Sequence, residues 1–319
     1  MKGNNKTQPR HSPPGRHSPP GRHSPPGRHS PPGRHSPPGR HSPPGRHSPP
    51  GRHSPPGRHS PPGIEFDHPD GITLLEATVK EQLDCGVRYL DLRIAHRPND
   101  TSTDLYFYHG VYTTLTVETV LQEIRSWLDI HSREVVLLSF SHFLDLNQDL
   151  HTGLISTIRT IFTARLCPAT EVVTLRNLWS LGYQVIVSYE HSMVSLYSDL
   201  WPHIPYWWAN KCKAEALIQE FEHRKQHGRP GGFFVTGINL TEDLQYICSH
   251  PTESLKDLVM STYPALLSWV RGQSPGSDSC SLNIIAGDFV SESHFVPTVI
   301  ALNQHFVHYT GPCDVSRGN

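Results

Sequence analysis

Acidic, aromatic and branched aliphatic residues are all missing from a long segment near the start of the chain. Residues 10–63 are the hexamer Arg-His-Ser-Pro-Pro-Gly repeated nine times. Such a segment cannot bury a hydrophobic core, and its Pro-Pro pairs favour an extended polyproline II conformation. We therefore expect residues 1–63 to be a disordered basic tail and residues 64–319 to hold the folded domain. The tail is either a plain linker or a recognition segment for a protein or an anionic surface.

Acidic residues are concentrated in the folded domain. The first 63 residues carry eleven Lys and Arg without an Asp or Glu, whereas the other 256 carry 17 basic and 29 acidic residues. The formal net charge of −1 is thus a cancellation between a basic tail and an acidic body. An acidic body has no excess of cations to neutralise phosphates, so nucleic acid is not expected as a partner.

Paired cysteines and long apolar runs are also absent. The six cysteines form no Cys-x-x-Cys pair and no Cys/His cluster at zinc spacing, so we expect reduced thiols. The first residues lead into no apolar signal region, and no run approaches the ~18 apolar residues of a spanning helix. These features predict a soluble, cytoplasmic protein.

From residue 71 onwards, helical and strand patterns alternate. Strands are predicted at 87–94, 105–108, 134–140, 184–189, 206–208, 232–238 and 283–289. Helices are predicted at 73–84, 117–131, 150–162, 213–226 and 254–271. This alternation is typical of an α/β fold with a parallel sheet, most economically closed as a TIM-type barrel, although only seven strands can be counted.

Polar side chains lie at the ends of the predicted strands, at the edge where barrel enzymes carry their chemistry. Asp91 and Arg93 are two residues apart and therefore point to the same side of their strand. The other strands end in candidate residues of the same kind, namely His109, Ser141 with His142, Glu190 and Asp288. An imidazole, a guanidinium and carboxylates on one rim suit the cleavage of a phosphodiester.

Several separated motifs, in a fixed order, give the chain a family resemblance. They are Gly-Val-Arg-Tyr-Leu-Asp-Leu-Arg at 86–93, Tyr-His-Gly at 108–110, Glu-Val-Val-Leu-Leu at 134–138, Pro-Gly-Gly at 230–232, Gly-Ile-Asn-Leu-Thr at 237–241 and Asn-Ile-Ile-Ala-Gly-Asp-Phe at 283–289. Together they resemble the X domain of phosphatidylinositol-specific phospholipases C, and in particular the small vertebrate proteins that consist of an X domain alone. The resemblance covers about residues 73–304.

The resemblance implies a distorted TIM barrel that cleaves inositol phospholipids. In the family, one histidine deprotonates the inositol 2-hydroxyl, which attacks phosphorus, and a second histidine protonates the departing glycerol oxygen. His109 matches this general acid, and Asp91 matches an acidic position at a strand end. Arg93 stands where calcium-dependent relatives carry a carboxylate ligand, so its guanidinium would stabilise the phosphate without calcium or another cofactor.

Three further strand-end residues are assigned roles by position. Asp288 is predicted to orient a catalytic histidine, with capping of the next helix as the alternative. Glu190 and Ser141 are predicted to contact the substrate together with Arg93. The alternative for Asp91 and Arg93 is a plain surface salt bridge. The alternative for His109 is a structural histidine before a glycine turn.

The chain departs from the family pattern upstream of residue 73. The Gly-Ser-His-Asp or Gly-Thr-His-Asn motif, which ends the family's first strand and supplies the general base, does not occur. Without that strand, the barrel would have unpaired edges beside its neighbours, and loss of a general base typically costs ~10² to 10⁴ in rate. His68, at the end of a minimal strand that residues 64–68 could form, is the remaining candidate base.

These observations lead to three hypotheses about function. The first is a phosphoric diester hydrolase of the phosphatidylinositol-specific phospholipase C type with impaired activity. The second is an inactive protein that binds an inositol phosphate headgroup and makes peripheral contact with a membrane. The third is an interaction protein whose Pro-rich tail is the functional part. An alternative first exon would also produce the abrupt junction between repeats and barrel.

Overall fold

The structure, a computed structural model, describes residues 77–292 and 294–304. The predicted tail, His68 and the start of the first predicted helix lie outside these residues. Eight strands are described: β1 (Tyr89–Ala95), β2 (Tyr106–Tyr108), β3 (Tyr112–Thr116), β4 (Val136–Leu144), β5 (Val185–Tyr189), β6 (Tyr206–Trp208), β7 (Val235–Gly237) and β8 (Ile284–Ala286). The helices are α1 (Val79–Asp84), α2 (Val117–Ile130), α3 (Gln148–Phe162), α4 (Leu175–Leu181), α5 (Ala214–Gln226), α6 (Leu244–Ser249), α7 (Leu255–Arg271) and α8 (Phe295–Ala301).

The strands form two sheets. The first has the order β3-β2-β1-β4-β5, and the second has the order β6-β7-β8. Strands β1, β4 and β5 are mutually parallel, as are β6, β7 and β8. The expected α/β architecture with an incomplete barrel is therefore confirmed, and a sheet closed all the way round is wrong for the described residues.

The hairpin of β2 and β3 departs from the predicted strand and helix alternation. Strand β2 is antiparallel to both β1 and β3. The connection between β2 and β3 contains Gly110 at φ +81°, a conformation that glycine adopts without strain. A connection this short cannot make the crossover that a parallel pair requires. Strand β3 was not predicted, because its residues run directly into α2 and its Thr116 is the N-cap of that helix.

Strand β4 is the centre of the first sheet, and its sequence explains why. Residues Val136, Leu138 and Phe140 are fully buried, and the intervening positions are buried or half-buried. A strand with apolar residues on both faces is stable only between layers, which is typical of parallel sheets. Helices α2 and α3 cover its outer face, and their inward residues join the same core cluster.

A separate apolar cluster joins the two sheets on the inside. Ile204, Val235 and Ile284 are buried there, with Tyr89 and Leu137 of the first sheet packed against them. The sheets also meet at buried Ser188 of β5, whose hydroxyl donates to Pro202 O at 3.1 Å and accepts from Ile204 N–H at 3.1 Å. The interior is thus a packed core, and the carboxyl ends of the parallel strands are left to form a site.

On the opposite side, β1 and β8 are the edges that face away from this junction. Over residues 89–92, β1 pairs with β4 on one side only, and β8 pairs only with β7 among the described residues. The sequence predicted unpaired edges at these two strands. The consequence is that the cavity described below extends along both of them.

Most other elements lie where the sequence predicts them. Strand β6 has the predicted bounds, and α2, α3, α5 and α7 agree within about two residues. Helices α4, α6 and α8 were not predicted. Each is short, with six or seven residues, so neither periodicity nor length separates it from a loop. Within the described part of the chain, no helix is both long and apolar enough to cross a membrane.

Candidate active site

A cavity of about 1190 Å³ opens at the carboxyl ends of the parallel strands. Its polar lining includes residues near or just after the carboxyl ends of strands, together with Asp91 within β1, Tyr206 at the start of β6 and His203 before β6. The residues near or after strand ends are Arg93, His109, His142, Glu190, Asn239 and Asp288. Towards β1 and β8 the lining becomes apolar, with Leu90, Leu92, Ile284 and Ile285. Six of the seven strand-end residues that the sequence put forward therefore line one cavity, and Ser141 does not.

Asp91 and Arg93 form the ion pair that their spacing suggests. Arg93 Nε lies 3.2 Å from Asp91 Oδ2, and about a third of the Arg93 side chain is exposed. Their place on β1 is fixed by its register with β4, where Arg93 is opposite Ser141. The guanidinium is held by one contact and has nitrogens to spare for a ligand oxygen. The pair is a rim salt bridge and a lining element of the cavity at the same time.

Ser141 supports this pair from below. It is buried, and its hydroxyl donates to Asp91 Oδ1 at 2.9 Å. His142 Nδ1 lies 2.9 Å from the same hydroxyl oxygen. Because the hydroxyl has a single proton and donates it to Asp91, His142 Nδ1 must be the donor to Ser141. Both carboxylate oxygens of Asp91 are therefore engaged, which fixes the direction in which Arg93 is held.

His109 follows β2 and reaches the cavity from the side of the hairpin. Its backbone N–H donates to Val111 O at 3.2 Å across the turn that contains Gly110. The side chain is exposed and lines the cavity. An imidazole that lines a cavity can reach a bound ligand, which is the first requirement for a general acid.

Asp288 follows β8 and carries a perturbed carboxyl group. Burial raises the pKa of Asp288, while a hydrogen bond from Asn239 and the charges of His109 and Arg93 act in the opposite direction. Its backbone carbonyl accepts a hydrogen bond from the Tyr263 hydroxyl. Asp288 does not cap the next helix, because α8 begins after His294. The capping alternative is therefore wrong.

Asn239 links Asp288, which follows β8, to Tyr206 at the start of β6. Its Oδ1 accepts a hydrogen bond from the Tyr206 hydroxyl at 2.6 Å, and its side chain hydrogen-bonds to Asp288. Burial raises the pKa of Tyr206, so this hydroxyl keeps its proton and acts as a donor. The sequence contained Asn239 within a family motif, but its role was not recognised because it follows β7 in a loop without periodicity.

A second polar group occupies the side of the cavity near β5. Glu190 Oε2 accepts the His142 backbone N–H at 2.9 Å, and Glu190 Oε1 lies 3.6 Å from His203 Nδ1. His142 is at φ +48°, an uncommon conformation for a non-glycine residue. Such backbone strain is found where a site needs a particular side-chain direction. His203 was not predicted, because it lies in the loop before β6.

The aromatic run of β6 is divided between core and surface. Trp207 is buried, whereas Trp208 is 52% exposed and lines the cavity. Its indole N–H donates to Thr241 Oγ1 at 3.0 Å. Period-two alternation along a strand sends neighbouring rings to opposite faces, so one run serves both purposes.

Comparison with known proteins agrees with this architecture. Residues 74–191 match the family model "Phosphatidylinositol-specific phospholipase C, X domain". Human PI-PLC X domain-containing protein 1 is 55% identical over 227 residues, which are 71% of this chain and 70% of the human protein. The chain belongs to the PI-PLC X domain-containing protein family.

Other members and a solved structure extend the comparison. The zebrafish (Danio rerio) protein 1 is 44% identical over 73% of this chain and 76% of its own length, and human protein 3 is 37% identical over 70% and 71%. Phosphatidylinositol-specific phospholipase C of Staphylococcus aureus superposes with a TM-score of 0.50 at 10% identity, over 69% of this chain and 81% of its own. At that identity the likeness shows the fold alone. Asp91, Arg93, His109, Ser141 and Glu190 fall inside the matched family model, whereas Asp288 lies beyond it.

Proposed function

We propose that the domain is a phosphoric diester hydrolase of the phosphatidylinositol-specific phospholipase C type. The observation that carries the proposal is the placement of Arg93 and His109 on one cavity, both close enough to Asp288 to influence its charge. Arg93 would stabilise the negative charge that develops on the phosphoryl oxygens. His109 would donate a proton to the departing glycerol oxygen.

The neighbouring groups would act on these two residues. Asp91, held by Ser141, keeps the Arg93 guanidinium in one orientation. Asp288 attracts the positive charge of a protonated His109, with Asn239 and Tyr206 holding its position. In this proposal Ser141 is a positioning residue rather than a direct contact to substrate, because it is buried beneath the cavity.

The proposed activity is impaired for want of a general base. The family motif for that residue does not occur in the sequence, and the candidate His68 lies outside the described residues. Without a positioned base, the 2-hydroxyl would be deprotonated only by water, at a cost of ~10² to 10⁴ in rate. We therefore expect slow release of cyclic inositol phosphate.

Headgroup binding without turnover is the second candidate function. It is favoured by the presence of Arg93, the residue proposed to contact the phosphate, in a chain that lacks the motif for the general base. Peripheral membrane contact fits the same site, since exposed apolar residues surround its mouth. Trp208 and Ile247 line the cavity and are 52% and 43% exposed, and Leu244 beside them is 77% exposed. Amphipathic aromatic and apolar side chains of this kind favour a lipid interface.

The decisive experiment measures cyclic inositol phosphate release from phosphatidylinositol vesicles, with vesicle binding recorded in parallel. We expect His109→Gln to lower release by at least about 10² while leaving vesicle binding intact. His250→Gln changes an exposed histidine outside the cavity and is the matched control. Chelation of calcium should leave release unchanged, because Arg93 supplies the charge near the phosphate.

A chain with an added first strand that carries Gly-Ser-His-Asp completes this experiment. Faster release by that chain would locate the defect in the missing base. If neither chain releases product but both bind inositol lipid, the second candidate function is correct. If neither releases product nor binds inositol lipid, both candidate functions of the domain are wrong, and the Pro-rich tail becomes the functional part.

A further inference from the structure

The side of the cavity near β5 lies away from Arg93 and carries a different set of charges. Strand β4 separates β1 from β5, and Glu190 directly follows β5. Neighbouring strands are ~4.8 Å apart, so the backbones that carry Arg93 and Glu190 are roughly 10 Å apart across the sheet. A headgroup whose phosphodiester meets Arg93 would therefore bring its inositol ring within reach of Glu190.

The charged side chains that could contact a ligand differ between the β1 side and the β5 side of the cavity. The cavity lining described by the structure contains two arginines, Arg88 and Arg93, and no lysine. Arg88 precedes β1 and is engaged by Glu134 at 2.8 Å and by Leu83 O at 2.7 Å. At ~3.3 Å per residue, it lies about 17 Å along the strand from Arg93. Arg93 is therefore the one guanidinium at the strand-end side of the described lining.

Carboxylates outnumber these cations in the same lining. They are Asp91, Glu190, Glu242 and Asp288. Asp91 is paired with Arg93, whereas Glu190 has imidazoles and a backbone amide as its partners. The His142 N–H holds one Glu190 oxygen at 2.9 Å, so the carboxylate cannot swing away without losing that bond. A fixed carboxylate accepts hydrogen bonds from ring hydroxyls and repels a phosphate.

A phosphate monoester on the ring would carry a charge of about −1.5 to −2. Arg93 would already be occupied by the phosphodiester, and the described lining offers no other guanidinium or ammonium near β5. We infer that Glu190 is a specificity-determining residue that admits phosphatidylinositol with a bare ring and excludes headgroups that carry further ring phosphates. This inference rests on the proposed function of the same cavity.

The test compares two soluble headgroups, glycerophosphoinositol and glycerophosphoinositol 4,5-bisphosphate, by calorimetric titration of the full chain at physiological salt and pH 8. Imidazoles are ordinarily neutral at that pH, so the charge of Glu190 is not masked. The variant is Glu190→Gln, whose amide oxygen can still accept the His142 N–H. The control is Glu118→Gln, an exposed residue of α2 outside the cavity that makes the same change in net charge.

The measured quantity is the ratio of the two dissociation constants, because the basic tail attracts the bisphosphate equally in every variant. We expect Glu190→Gln to shift this ratio about tenfold towards the bisphosphate, and Glu118→Gln to leave it unchanged. An unchanged ratio in Glu190→Gln, with binding of glycerophosphoinositol retained, would overturn the inference alone. Failure of the unaltered chain to bind either headgroup would overturn the proposed function and this inference with it.

Discussion

Gly237, the last residue of β7, forms part of the wall against which Tyr206 packs. A Cβ at this position would overlap the Tyr206 ring, and ring and backbone cannot both stay in place. The same ring carries the hydroxyl that donates to Asn239, and Asn239 in turn contacts Asp288. Glycine is thus needed here for close approach, and its φ is not in the left-handed region.

We expect Gly237→Ala to lower the free energy of unfolding by about 1–3 kcal/mol, as overpacking of a core does. It should also weaken headgroup binding, because Tyr206 would no longer hold Asn239. Urea denaturation and titration with glycerophosphoinositol measure the two effects. Gly153→Ala is the control, since nothing lies near a Cβ at that position of α3 and alanine favours a helix by ~1 kcal/mol. Equal effects of the two substitutions would contradict the packing argument.

For single residues, the sequence predicted the site residues at the ends of predicted strands and missed those in loops. Asp91, Arg93, Glu190 and Asp288 were found because parallel strands end at a common edge, whereas His109 reaches the same cavity from an antiparallel hairpin. Tyr206 and Asn239 contact each other within the second sheet, and His203 contacts Glu190 next to β5. No spacing in the sequence encodes these contacts. The reverse error is Ser141, whose position at a strand end says nothing about how deep it lies.

Helix α3 is joined to strand β5 through a buried histidine. His151 is 4% exposed, its Nδ1 lies 2.8 Å from the Tyr189 hydroxyl, and its ring stacks on His191 at 4.0 Å. Burial and the neighbouring His191 lower the pKa of His151 to about 4. The contact therefore suits a neutral imidazole, and Phe143 closes it from a third side.

This contact predicts a loss of stability in mild acid. Between pH 6.5 and about 4 the unfolded chain binds a proton at His151 that the folded chain does not, so the free energy of unfolding falls as the pH is lowered through that range. The contribution of this residue is at most about 3 kcal/mol. We expect His151→Phe to reduce the slope of unfolding free energy against pH in that window. A slope equal to that of the unaltered chain would show that His151 does not titrate as proposed.

Element prediction succeeded where periodicity was long and failed where it was short. Helices α2 and α7 carry apolar positions over 14 and 17 residues and have side-chain N-caps, so their pattern is unambiguous. Strand β3 has five residues, and its place is decided by the hairpin turn before it. Helix α6 has six residues, and its place is decided by the packing of its Tyr246 against the core. The direction of β2 could not be read either, since a strand has the same pattern in parallel and antiparallel pairs.

The whole chain is strongly asymmetric in charge. Eleven basic residues lie within the first 63, and the acidic excess lies in the rest. Electrostatic attraction between the tail and anionic lipid would weaken with added salt, while apolar contact at the cavity mouth would not. The two kinds of membrane contact can therefore be separated in solution.

We expect the full chain to bind vesicles of phosphatidylserine and phosphatidylcholine more tightly than a chain that starts at Ile64. The difference should disappear between about 0.1 M and 1 M salt, as the Debye length falls from ~10 Å to ~3 Å. Cosedimentation at several salt concentrations measures it. Equal binding of the two chains at low salt would show that the tail is a linker without affinity for anionic surfaces.

The division of the strands into two sheets has a thermodynamic consequence for any ligand. The arginine and the general-acid candidate belong to one sheet, and the buried carboxylate with its amide and phenol partners belongs to the other. A headgroup that touches both would connect the two sheets across the edge strands β1 and β8, so it would resist separation of the sheets as well as unfolding of each. Ligand binding should consequently raise the melting temperature, and the dependence of this rise on ligand concentration reports the affinity directly. The same holds for a chain without catalytic turnover.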